Sequence, residues 1–381
     1  MGDDAGGRLG MVRFADLVRP RLRGIDVYAA PDARRGLRLD ANESPYDLPP
    51  GVRRALADRL VGGMGLNEYP DDGCAALREA ICERHRAEGV DLTPGMVVVG
   101  CGSDQLIAMA CSLLLDHGDK ALCPSPSFEM YGQGVLMAGG DPRWWHLDAR
   151  DGYRYDVGGM ADAVRAESIK LAFICSPNNP TGNSAACDDI GRLAAACPET
   201  VIVVDEAYAE FADESFIGRV NGYGNAVVLR TLSKAYGMAG LRVGYSVSGE
   251  EAADALRKAK PVYNVPSFSQ AAAVEMLRDV GSVMGRVTEV RRERAALAGK
   301  VGALALGRLG LGAVVYPSQA NFILVRLPGG AAAKTAAALA DAGIYVRAFR
   351  EGGPVGDCLR ITVGDPAAND AVVKALGRIW D

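Results

Sequence analysis

The stretch "RTLSKAYGMAGLRVGY", residues 230–245, follows the apolar run "AVVL" (226–229). It places Lys234, one of only eight lysines in the chain, among small residues, with Arg242 eight positions later. A buried ammonium is costly, and a desolvated lysine tends to shed its proton and become a nucleophile. A Schiff base with an aldehyde would remove the cost; the alternative is an exposed loop lysine. Ser233 and Arg242 can both bind phosphate, and the intervening "GMAG" permits close backbone approach.

Outward from this stretch, short apolar runs rich in β-branched residues recur: "MVVVG" (96–100), "KALCPSP" (120–126), "LAFICSP" (171–177), "VIVVDEAY" (201–208), "AVVLRTLSK" (226–234) and "LRVGYSVS" (241–248). Between them lie segments with helical apolar spacing, such as "SDQLIAMACSLLLDHG" and "CDDIGRLAAACPE". Runs apolar on both faces and separated by helices imply an α/β fold, a mostly parallel sheet flanked by helices.

After about residue 265, long Ala/Arg/Glu segments precede "GAVVYPSQANFILVRL", a helix, "GIYVRAFR" and "CLRITVG", the pattern of a smaller α+β domain. The expected organisation is an N-terminal arm that is part of the small domain (1–44), a large domain (45–265) and a C-terminal small domain (266–381).

In open α/β sheets, ligands bind beyond the carboxyl ends of the strands. Here those ends carry "CGSDQ", "PNNPTG", "DEAY" and "TLSK". Gly102, Ser103 and Asp104 form a strand-to-helix turn whose N–H groups suit a phosphate, or merely a helix cap. Asp205 follows four apolar residues, so it requires a cationic partner such as a protonated heterocyclic nitrogen, or neighbouring backbone N–H groups. A phosphate site, a Schiff-base lysine and an acid suited to a pyridine nitrogen together describe a pocket for pyridoxal 5'-phosphate.

Composition narrows the remaining possibilities. With 381 residues, 49% hydrophobic and 23% charged, the chain is an ordinary globular one. The net charge of -5, with basic residues thinly spread, offers no footprint for nucleic acid. No run approaches 18 apolar residues and no signal-like core opens the sequence, so a cytoplasmic protein without membrane attachment is expected. Nine scattered cysteines read as buried thiols, and His85, His117 and His146 are isolated, against a metal site.

These motifs, with "LDANESPY", "NEYPD" and "PSPSFEMYG", occur in the order that makes the chain resemble fold-type I pyridoxal-phosphate enzymes, specifically the histidinol-phosphate aminotransferase family. The resemblance runs from about residue 39 to the end of "CLRITVG". It implies that Lys234 bonds to the cofactor and shuttles the substrate proton, that Asp205 holds the pyridine nitrogen protonated, and that Tyr208 and Asn179 bond the ring oxygen. It gives Phe128 the role of stacking on the ring. It assigns phosphate to Gly102, Ser103, Asp104, Ser233 and Arg242, with Tyr69 reaching the other subunit's site in a homodimer. Arg360 would grip the acidic group of an amino donor and of a 2-oxo acid in turn, with Tyr28 and Arg347 as further substrate contacts.

Four residues depart from the pattern: Glu68 replaces an arginine common in the family, Ser44 and Asp47 stand for its asparagine and glycine, and Glu129 has no evident role. Glu68 and Asp47 fit a cationic or neutral amino acid better than a phosphorylated amine. They leave open a decarboxylase, lyase or cyclase on the same scaffold. A DNA-binding regulator would need a fused module for which the 40 residues before "LDANESPY" are too few.

Overall fold

The computed structural model describes residues 13–25, 36–310 and 312–381; Tyr28 lies outside them. The chain divides into two compact units, 1–30 and 31–381. In the first, a short helix (Phe14–Leu17) and a 3-10 turn (Pro20–Leu22) are closed by Arg23, which donates to the carbonyls of Asp16 and Val18.

The second unit contains strands β1 (Leu37–Leu39), β2 (Val97–Gly100), β3 (Lys120–Ser125), β4 (Asp141–His146), β5 (Ile169–Cys175), β6 (Val201–Asp205), β7 (Ala226–Thr231), β8 (Gly244–Ser248), β9 (Val314–Tyr316), β10 (Phe322–Arg326), β11 (Ile344–Ala348) and β12 (Cys358–Thr362). Seven form a sheet in the order β2-β8-β7-β6-β5-β3-β4. β3 to β7 run parallel, whereas β8 is antiparallel to both neighbours.

Alternation along the strands explains why this sheet is buried on both faces. Phe173, Val203 and Leu229 enter one apolar cluster with Leu106, Ile107 and Tyr131; Ile174, Val204 and Val228 enter the other. Each such side chain stabilises the fold by about 1.5–3 kcal/mol when fully buried. The same alternation carries Asp205 onto the Phe173 face, beside Tyr131, whose ring stacks on Phe173 at 4.7 Å.

The second sheet, in the order β1-β11-β12-β10-β9, unites "LRL" (37–39) with the C-terminal strands. The helices Ser267–Arg278 and Val280–Leu309 precede β9 to β12 in the chain. Where the sequence reading merged residues 241–248 into one strand, Ala239–Leu241 form a 3-10 turn and Arg242 has φ +51°. β8 therefore starts only at Gly244. The run 201–208 likewise stops being a strand at Asp205. β4, "DPRWWH", escaped the sequence reading because an edge strand with half-exposed residues lacks the apolar run that marks its neighbours.

Candidate active site

The strand ends converge as their sequences suggest. Asp205 ends β6, Asn179 follows β5, Lys234 follows β7, and Gly102 opens the helix Gly102–Leu114 after β2. No side chain caps that helix, and Gln105 Oε1 instead accepts the Cys101 N–H at 2.8 Å. Gly102 has φ +76°, and a Cβ there would lie 2.6 Å from Arg242 Nη2. A Cβ on Gly244 would meet Gly102 C at 2.7 Å and Ser103 N at 2.8 Å. Two glycines thus bring an uncapped helix N-terminus against an arginine. Arg242 also pairs with Asp104 at 3.1 Å and donates to Ser233 Oγ at 3.4 Å. This cup of N–H groups, hydroxyls and a guanidinium has the chemistry of a phosphate cradle.

Lys234 is half-buried, with Nζ donating to the Ala41 carbonyl at 3.1 Å and standing 5.8 Å from the Tyr208 ring centroid. Burial, reinforced by the charge of Arg360, pulls its pKa down to about 8, so a substantial fraction is neutral near pH 8. Asp205 is buried. Desolvation pushes its carboxyl up to about 6, although the Tyr131 hydroxyl donates to it at 2.7 Å and the Ala207 N–H at 3.0 Å. A carboxyl so placed can pair with a protonated ring nitrogen. The ring of Phe128 packs edgewise on Tyr131 at 5.7 Å.

Arg360 joins this group from β12. Its Nη1 donates to Asn179 Oδ1, its Nη2 to the Asp40 carbonyl, and its guanidinium stands 5.5 Å from the Phe322 ring centroid. Arg347 on β11 is the register partner of Arg360, so both side chains leave the same face of the sheet. Tyr69 is on the surface, stacked on Tyr263 at 4.5 Å and 81% exposed.

Two features were not singled out in the sequence. Asn42, inside "LDANESPY", is buried with φ +54°. Its turn aims successive carbonyls at Arg360 (from Asp40), Lys234 (from Ala41) and Asn321 (from Asn42). Its Nδ2 donates to the Tyr208 hydroxyl at 3.0 Å. An asparagine tolerating a left-handed backbone was the available signal. The second feature is a buried ion-pair group: Arg230 meets Glu206 at 3.1 Å and Glu210 at 3.2 Å, joining the segment after β6 to β7. Nearby, His85 bonds Tyr245 Oη at 2.8 Å inside the core. All nine cysteines are unpaired, and only Cys101 is not buried. Among the described residues there is no cluster of acidic, His or Cys side chains suited to a metal ion, and no helix long and apolar enough to cross a membrane.

The fold is that of fold-type I pyridoxal-phosphate enzymes, with pyridoxal 5'-phosphate as the cofactor. The sequence profile described as "Aminotransferase class I and II" matches residues 34–376, and the chain belongs to that family of pyridoxal-phosphate-dependent aminotransferases. It is 37% identical over 361 residues to a histidinol-phosphate aminotransferase of Ruminiclostridium cellulolyticum, covering 95% of this chain and 97% of the relative. It is 36% identical over 368 residues to an aromatic amino acid aminotransferase of Mycobacteroides abscessus, covering 95% and 99%. The histidinol-phosphate aminotransferase of Sinorhizobium meliloti, solved with pyridoxal-5'-phosphate, superposes with a TM-score of 0.82 at 25% identity, over 95% of this chain and 96% of that one.

Proposed function

We propose that the enzyme moves an amino group from histidinol phosphate or an aromatic amino acid to 2-oxoglutarate in two alternating half-reactions. The observation that carries this reading is the opposition of Arg347 and Arg360 across β11 and β12. Two like charges facing each other in a sheet are unfavourable, and an anion between them would offset the repulsion. The acidic group of a donor and the carboxylate of an oxo acid can each fill that position in turn. Relatives named for histidinol phosphate and for aromatic amino acids support the donor class.

When bound, the cofactor supplies an aldehyde and a protonatable ring that accepts electrons. Lys234, neutral in part near pH 8, would be the nucleophile toward that aldehyde and the group that moves the proton to and from the substrate carbon. Asp205 would hold a positive charge on the ring nitrogen, Tyr208 and Asn179 would serve the ring oxygen, Phe128 would pack on the ring, and Gly102, Ser103, Asp104, Ser233 and Arg242 would hold the phosphate. Arg360 orients the acidic group, with Arg347 beside it.

A homodimer is part of this reading. Leu60, Val61, Leu66, Tyr69, Val262 and Tyr263 are exposed apolar or aromatic residues, with Tyr69 and Tyr263 stacked on each other. Tyr69 within this group is the residue we assign to the partner's phosphate. We also assign an N-terminal arm that is part of the small domain (1–44), a large domain (45–265) and a C-terminal small domain (266–381), and a cytoplasmic setting. Asp47, one of the acids that favoured a cationic substrate, spends Oδ1 on the Leu48 N–H at 2.7 Å.

The test is to add histidinol phosphate, phenylalanine, tyrosine and lysine separately to the cofactor-loaded enzyme and follow its visible absorbance. Loss of the band with histidinol phosphate or an aromatic donor, and its return with 2-oxoglutarate, supports the proposal. A response to lysine alone overturns the donor assignment.

A further inference from the structure

Asn42 and Thr362 settle which way a buried hydroxyl points. Thr362 Oγ1 accepts the Asn42 backbone N–H at 3.0 Å and lies 3.2 Å from Asn42 Oδ1. Both residues are buried, at 1% and 2% exposure, so water is not the default partner for either. A threonine hydroxyl has a single hydrogen. Directed at Asn42 Oδ1, it is satisfied; with the amide reversed, it would face an NH2 group and lose that acceptor. The amide is therefore fixed with Oδ1 toward Thr362 and Nδ2 toward Tyr208, 3.0 Å from its oxygen. Because NH2 only donates, Tyr208 must accept there, and its own hydrogen must point to something other than Asn42.

The surroundings preserve this arrangement. Asn321 Nδ2 holds the Asn42 carbonyl at 3.0 Å, and the Phe322 ring packs edgewise on the Tyr208 ring at 5.3 Å. The segment 40–42 also receives Lys234 and Arg360 on its carbonyls. The left-handed backbone at Asn42 is one that asparagine, aspartate and glycine adopt most readily.

We infer that Asn42, locked by Thr362, is a positioning residue that keeps the Tyr208 hydroxyl a hydrogen-bond donor to the oxygen of the bound cofactor's ring. The inference rests on the reading that Tyr208 serves that oxygen. Asn42 touches neither substrate nor cofactor in this role. It acts by occupying the Tyr208 lone pair, leaving the phenolic hydrogen for the cleft. A donor there favours the ionised form of the ring chromophore and lowers the pH at which its visible band changes.

The experiment is a pH titration of that band in cofactor-loaded wild type, Tyr208→Phe, Asn42→Asp, Asn42→Gly and the Asn42→Asp/Tyr208→Phe double variant. In Asn42→Asp an acceptor faces Tyr208 and draws its hydrogen away; in Asn42→Gly the constraint is removed. The expected result is a rise in spectroscopic pKa of about one unit in Tyr208→Phe and Asn42→Asp, with a smaller rise in Asn42→Gly. The double variant should shift no further than Tyr208→Phe, because both act through one hydroxyl. Thr362→Val, which frees the amide to reverse, should shift in the same direction and replaces Asn42→Asp if that variant does not fold. A shift in Tyr208→Phe with none in the Asn42 and Thr362 variants overturns the role of Asn42. Additive shifts in the double variant do the same. An unchanged titration in Tyr208→Phe overturns the underlying reading of Tyr208 and the inference with it.

Discussion

Lys234 Nζ donates to the carbonyl oxygen of Ala41 at 3.1 Å, across 193 residues of sequence. The contact joins the end of β7 to the segment that also holds Arg360 and bonds to Tyr208. Lys234 Nζ therefore sits within a hydrogen-bonded set that includes the segment 40–42, Tyr208 after β6 and Arg360 on β12.

Capture of the cofactor should follow the neutral fraction of this amine. Its pKa is drawn down to about 8, so the second-order rate of cofactor addition to the cofactor-free protein should rise between pH 7 and 9 and then level. Stopped-flow absorbance measures it; a rate independent of pH across that range would remove Lys234 as the nucleophile. In Lys234→Ala, borohydride reduction followed by peptide mapping should find no cofactor attached, while phosphate contacts still hold some of it noncovalently.

The cofactor-free protein should carry a stability cost at Asp205. Its carboxyl is raised from 3.8 to about 6, so protonation is favoured in the folded state. The sign follows: this stability is fully present below pH 3.8 and lost as pH rises through 6. The difference is about 3 kcal/mol at most. Relative to wild type, Asp205→Asn should gain stability toward urea between pH 4 and 7 while losing most activity. Parallel stability profiles for the two proteins would mean that Asp205 is stabilised as an anion.

Gly102→Ala tests the phosphate cradle without removing a charge. The added Cβ would meet Arg242 Nη2 at 2.6 Å on a backbone with φ +76°, displacing the guanidinium. Cofactor affinity should fall roughly 10- to 100-fold, about 1–3 kcal/mol for charge-assisted hydrogen bonds. Arg242→Ala should fall similarly, and the double variant little further. Equilibrium dialysis with unaltered affinity in both single variants would place phosphate elsewhere.

Arg230 should be among the most costly residues to remove. It is 5% exposed and pairs with Glu206 and Glu210, so Arg230→Ala leaves two buried carboxylates uncompensated. A loss of about 3–5 kcal/mol is expected, measured by chemical unfolding. Arg230→Ala with Glu206→Gln and Glu210→Gln should recover part of it. No recovery would show that packing of the arginine stem, and not charge, dominates.

The parallel sheet was legible because "LAFIC", "VIVVD" and "AVVLR" are apolar on both faces, and the polar residues at their ends are where such sheets place ligands. The positions of Asp205, Lys234 and Gly102 followed from local patterns of that kind. Asn42 and the Arg230 group did not, because their meaning depends on contacts between segments that meet only in the fold: Asn42 with Tyr208 and Thr362, Arg230 on β7 with Glu206 and Glu210 after β6. The antiparallel course of β8 was equally hidden, since periodicity reports which faces are buried and not the direction in which a strand runs.

The most direct test of amino transfer is to supply a 15N-amino-labelled donor with unlabelled 2-oxoglutarate and determine the mass of the glutamate formed. The account requires 15N-glutamate in equal amount to the oxo product of the donor. Consumption of the donor with carbon dioxide or free ammonia released, and no labelled glutamate, would contradict it.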